Sequence, residues 1–153
     1  MSASEALELR VERTFDAPAE DVFDAWTNPE VMRRWLSAGQ DWTTPVAEVD
    51  LRPGGRIRVS MAQPGGEPVN TFEGTYLEVQ RPDHLAFAFD WLGDDATGVT
   101  STVTVEFHER DGRTTVVLTH AGLQTKLSRD NHEDGWRACL ENLETRVFST
   151  GPS

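Results

Sequence analysis

The chain has 153 residues, 14 of them basic and 26 acidic, for a net charge of -12. That length fits one domain spanning residues 1–153, with an ordered core over about 7–148. The charge repels phosphate backbones and anionic lipid, and no long apolar run could span a bilayer, so neither a nucleic acid nor a membrane is expected as a partner.

Leu7, Leu9, Val11 and Phe15 alternate with Glu8, Arg10, Glu12 and Thr14, which predicts a half-buried strand over Leu7–Phe15. Arg13 is the one charge on the inward parity and is expected to snorkel to water near the strand end. Two short helices follow. Pro18 reads as a first-turn residue of the first, with Glu20 and Asp21 behind it; Asn28 caps the second ahead of Pro29 and Glu30. Val22, Phe23 and Trp26 form the apolar face of one, and Val31, Met32, Trp35 and Leu36 that of the other.

From Val46 the period changes to two. Strands are predicted over Val46–Leu51, Arg56–Met61, Val69–Val79, His84–Trp91, Val99–Phe107 and Arg113–His120, parted by turn-forming clusters such as Pro53-Gly54-Gly55, Pro64 to Pro68, Gly93 to Gly98 and Arg110-Asp111-Gly112. Short connections make this a six-stranded antiparallel meander. Leu85, Phe87, Phe89 and Trp91 share one face, as do Val103, Val105 and Phe107, and that greasy face needs a cover. His132, Trp136, Cys139, Leu140, Leu143 and Val147 fall on one arc of a long amphipathic C-terminal helix that supplies it. Asn142 lies on the polar side; Ser128 or Asp130 caps the start and Gly151-Pro152 the end. Cys139, the only cysteine, allows no internal disulfide and reads as a small buried side chain.

This order of elements resembles the START-like, or SRPBCC, superfamily. Four phrases narrow the likeness: RTFDAPAEDVFDAWTNPEVMRRWL (Arg13–Leu36), EVDLRPGGRIRVSM (Glu48–Met61), FEGTYLEVQRPDHLAFAFDW (Phe72–Trp91) and HEDGWRACLENLE (His132–Glu144). As an ordered set they are similar to the activator of heat-shock protein 90 ATPase homologue-like family, over about Leu7 to Phe148. The resemblance implies an α+β helix-grip fold, a seven-stranded antiparallel sheet curved around the last helix, with two short helices between strands one and two. One departure stands out. Where the family often continues tryptophan-tryptophan-glycine-proline, this chain has Trp35-Leu36-Ser37-Ala38, so the loop with Gln40, Asp41 and Trp42 is where a ligand mouth would differ.

The chemistry legible in the residues is sparse. His84, His108, His120 and His132 lack paired metal spacing, no glycine loop cradles phosphate, and no serine sits in a nucleophile elbow, so no metal, cofactor or catalytic motif is predicted. A curved sheet gripping a helix instead suggests a small apolar cavity. Its expected wall is Trp35, Trp42, Phe72, Tyr76, Phe87, Phe89, Trp91, His120, His132, Trp136 and Leu140, and its expected occupant a small apolar or aromatic molecule. Two alternatives stay open: a cyclase- or dehydratase-like enzyme drawing on His120, His132, Tyr76 and Arg13, and a co-chaperone-type interaction domain with a chaperone partner. A homodimer is also left open. The polar, acidic stretch Met1 to Arg10 lacks the apolar block of a secretory signal, and a cytoplasmic location is expected.

Overall fold

The computed structural model describes residues 7–36, 41–62, 65, 69–91, 101–123 and 125–148. In chain order these form β1 (Leu7–Phe15), α1 (Ala19–Thr27), α2 (Pro29–Trp35), β2 (Thr43–Val49), β3 (Arg56–Ala62), β4 (Val69–Gln80), β5 (His84–Trp91), β6 (Ser101–Arg110), β7 (Arg113–Leu123) and α3 (Lys126–Arg146). The strands make one antiparallel sheet in the order β1-β7-β6-β5-β4-β3-β2. The six later strands are a plain meander, and β1 joins its far edge beside β7. The sheet curls as a half-barrel around α3, the α+β helix-grip architecture expected from the sequence.

Local chemistry fixes the corners. The β6–β7 hairpin turns on Asp111 and Gly112, both at positive φ (55° and 79°), so that Arg110 faces Arg113 across a two-residue loop. Left-handed residues at both central positions match the twist of the flanking strands. At Gly74 a side chain is impossible: a Cβ there would lie 1.6 Å from the Ala88 carbonyl oxygen. The close approach falls just before the register shift between Tyr76 and Glu78.

Several boundaries differ from expectation for identifiable reasons. Pro18 is the residue before α1 rather than within its first turn, and its carbonyl accepts from Asp21 and Val22. A proline side chain cannot cap, and the carboxylate of Glu109 on β6 takes the Ala19 N–H at 2.8 Å instead. Asn28 caps α2 as expected, its Oδ1 accepting from the Glu30 N–H at 3.0 Å. β2 begins at Thr43, ahead of the predicted Val46, and runs through Pro45, which an edge strand tolerates. α3 begins at Lys126, so Ser128 and Asp130 lie inside it rather than cap it. Asn142, placed on the polar face, is buried. Arg13 does not simply reach for water: its guanidinium pairs with Glu144 of α3. The Gly151-Pro152 stop, the Pro64–Pro68 and Gly93–Gly98 turns apart from Gly65, and the start of β6 at Val99 lie outside the described residues.

The inner face is built in rows across the strands. Val79, Leu85, Val105, Leu118 and Val11 make one such row. Trp136, Cys139, Leu140 and Leu143 from α3 are buried in the same core. Phe23 of α1 packs on Phe107 with ring centres 5.3 Å apart, closing one end of the grip.

Candidate functional site

The next row, Tyr76, Phe87, Val103, His120 and Leu9, crosses five strands and carries the interior's polar chemistry. Beside it Phe89 faces Ser101. The Trp136 ring lies above, so a histidine, a serine and an indole meet where the sheet faces its helix.

Their hydrogen bonds run in one direction. The Trp136 Nε1–H donates to His120 Nδ1 at 3.1 Å. That nitrogen is therefore bare, and the proton of the neutral ring sits on Nε2. His120 Nε2 and Ser101 Oγ are 2.7 Å apart, so the imidazole donates and the serine accepts. The Ser101 hydroxyl in turn donates to the Phe89 carbonyl at 3.3 Å. Charging His120 would set an N–H against the indole N–H. Burial, reinforced by repulsion from the neighbouring His132 charge, pushes the His120 pKa down from 6.5 to about 3. In a serine nucleophile pair the hydroxyl donates to the histidine. Here the polarity is reversed, so His120 does not activate Ser101.

A second set of polar atoms has no partners. The Tyr76 hydroxyl and the Trp26 Nε1–H are both buried and neither makes a hydrogen bond. Burial raises the Tyr76 pKa, so the phenol stays protonated and able to donate. Each unsatisfied group costs about 1–3 kcal/mol, and native interiors satisfy most of theirs.

Seven of the eleven predicted wall residues come together. Phe72 stacks on Phe89 at 4.5 Å and lies 6.2 Å from Phe87, which meets Tyr76 edge-on at 6.1 Å. Phe89 also meets His120 at 4.7 Å, His132 at 5.7 Å and Trp136 at 6.2 Å. Trp35 meets Trp26, its ring 4.9 Å away, and its own N–H is spent on the Ala25 carbonyl. Its place is the α1–α2 packing. Trp42 is half-buried against the core just before β2, and Leu140 is fully buried. The Trp91 side chain and Gln40 lie outside the described residues. Sequence reasoning left out Ser101 and Trp26. Ser101 had a signal, a lone hydroxyl on the inward parity of Val103, Val105 and Phe107.

A groove of about 330 Å³ opens elsewhere, between β1 and α3, lined by Val11, Glu12, Arg13, Arg137, Ala138, Leu140 and Glu141. Of the predicted wall only Leu140 reaches it. Among the described residues no three His, Cys, Asp or Glu side chains gather as a metal site, and no helix is long and apolar enough to cross a membrane.

A half-barrel sheet gripping a C-terminal helix, with two short helices after β1, defines the START-like, or SRPBCC, class. The family model described as Activator of Hsp90 ATPase homolog 1-like protein matches residues 16–147, and the chain belongs to that family. Among solved structures it is similar to the AHSA1-like protein of Aeromonas hydrophila, at 28% identity and TM-score 0.75, covering 96% of this chain and 99% of that one. An uncharacterised protein from Rhizobium leguminosarum is similar at 27% identity and TM-score 0.75, covering 94% and 95%. The AHSA1 protein of Silicibacter pomeroyi is similar at 25% and 0.76, covering 90% and 94%. None of the curated proteins matches the sequence.

Proposed function

We propose that the grip between the curved sheet and α3 binds a small, uncharged, largely aromatic molecule. The observation that carries this reading is the pair of buried, unpartnered groups, the Tyr76 hydroxyl and the Trp26 N–H, in an interior otherwise walled by aromatic rings. A fold sufficient in itself tends to satisfy such groups or replace them with apolar ones. A ligand would supply the missing acceptors and take up the apolar surface. Binding in a cavity is also common in this fold. The reversed polarity of the Ser101–His120 contact weighs against the cyclase-like alternative. A reducing, cytoplasmic setting fits Cys139, a buried thiol pushed up to about 12.

The test is a titration of the folded protein with an environment-sensitive apolar dye, followed by displacement with a neutral aromatic competitor. A saturable one-site curve that the competitor reverses is expected. No saturable binding in a sample whose fold is verified by circular dichroism defeats the proposal.

A further inference from the structure

The two edges of the sheet are protected very differently. β2 carries Pro45, a register shift between Thr43 and Val46, and α2 packed against it. Proline, irregularity and a covering helix are the usual means of keeping an edge from pairing with another chain. β1 also has a helix packed against it, α3, but it carries no proline and is regular over its centre. Its 9 residues contain no proline or glycine, and its one irregularity lies at the Leu7/Glu8 end. The groove of about 330 Å³ between β1 and α3 is lined by Glu12 and Arg13, with Val11 buried at its floor.

The charges on β1 decide what suits it. The chain as a whole carries -12, yet β1 balances Glu8 and Glu12 with Arg10 and Arg13. Arg10 and Glu12 are exposed on the outer face, 62% and 50% accessible. Directly opposed residues in an antiparallel pair share a face, so β1 can pair with a second β1 only about a two-fold axis through a residue. An axis at Arg10 opposes Arg10 to itself and Glu8 to Glu12. One at Glu12 opposes two glutamates. An axis at Leu9 sets Glu8 against Arg10 but overlaps only Leu7–Val11 of the strand. The axis at Val11 sets Arg10 against Glu12 twice, Glu8 against Thr14, Leu7 against Phe15 and Leu9 against Arg13, and overlaps the whole strand.

We propose that β1 is a self-recognition edge at which two copies of this chain pair antiparallel about Val11, joining their sheets into one. The interface is isologous, as a closed dimer requires, and the opposed charges set its register. Ligand binding in the grip is not needed for it, so the two proposals stand or fall separately.

Sedimentation velocity over a concentration series tests the pairing, with circular dichroism confirming the fold of each variant. The native chain should show a concentration-dependent dimer. Arg10→Glu and Glu12→Arg should each weaken self-association at least about tenfold, because each turns two attractive pairs repulsive. Mixed in equal amounts they should form a heterodimer, since the paired glutamates of the first variant then face the paired arginines of the second. A chain monomeric throughout the series overturns the proposal, as does a dimer indifferent to both reversals. If only Arg10→Glu dissociates it, or the mixture stays monomeric, the Val11 register is wrong.

Discussion

Around His120, the indole N–H, both imidazole nitrogens and the Ser101 hydroxyl are engaged in a single chain of donors. Around Tyr76 and Trp26, the buried phenol hydroxyl and indole N–H make no hydrogen bond. Yet Tyr76 and His120 stand in the same row of the sheet, with β5 and β6 between them, and the Trp26 ring lies 6.0 Å from Trp136. Both sets are buried, and what separates them is satisfaction. A satisfied buried network specifies and rigidifies a fold. An unsatisfied one is carried at a cost to stability and points to something outside the chain. The first set belongs to the fold; the second is where a ligand would be recognised.

Truncating Trp136 should have the largest effect. Its ring is 4% exposed, lies against Trp26, Phe89 and His120, and supplies the donor that keeps His120 Nδ1 occupied. Trp136→Ala should cost about 3–5 kcal/mol in a denaturant melt, the range for large aromatic truncations in packed cores. A loss of only about 1–2 kcal/mol would mean that the ring borders open space, and Trp136 would move from the satisfied set to the binding set.

A smaller effect comes through pH. His120 is neutral in the folded state down to about 3, against 6.5 for an ordinary imidazole. As pH falls from about 6.5 towards 3 the unfolded chain takes up a proton that the folded chain refuses, so stability falls with falling pH. The slope approaches about 1.4 kcal/mol per pH unit. Denaturant melts between about pH 6.5 and 4.5, above most carboxylate titration, should show the decline, and His120→Gln should flatten it. Equal slopes in the two proteins would mean that His120 is not held neutral, and the directional chain from Trp136 to Phe89 would be wrong.

The order of the six meander strands and the α3 stripe were legible because period and turn chemistry are local signals, whereas the place of β1 beside β7 was not. β5 shows it best: Leu85, Phe87 and Phe89 alternate with Ala86, Ala88 and Asp90, and the observed strand keeps the predicted bounds. What was not legible depended on partners distant in sequence. Arg13 meets Glu144 across 131 residues, and Glu109 caps α1 from 90 residues away. His120 and Trp136 were both singled out from the sequence, but the direction of the bond between them follows only once Ser101 is beside them. Trp35 and Trp26 show the same limit. Both are tryptophans on short-helix apolar faces, and only the fold reveals that one indole N–H finds the Ala25 carbonyl while the other finds nothing.

The smallest change is also the most direct test of the contrast. Tyr76→Phe removes one oxygen and leaves the ring, its edge-on contact with Phe87 and the row intact. If the hydroxyl is unpartnered in the free protein, its loss relieves a desolvation penalty, and stability should rise by up to about 1 kcal/mol. If the same hydroxyl bonds a ligand, affinity for a carbonyl-bearing aromatic competitor should fall about two- to tenfold, the worth of one neutral hydrogen bond. The two effects have opposite signs, which a general loosening of the core cannot produce, since loosening lowers stability and affinity together. A chemical melt and a displacement titration on the same preparation measure both. A stability loss of about 1–2 kcal/mol would show that the Tyr76 hydroxyl is bonded in the free protein. Tyr76 would then join His120 among the groups that hold the fold together, and the proposed recognition would rest on Trp26 alone.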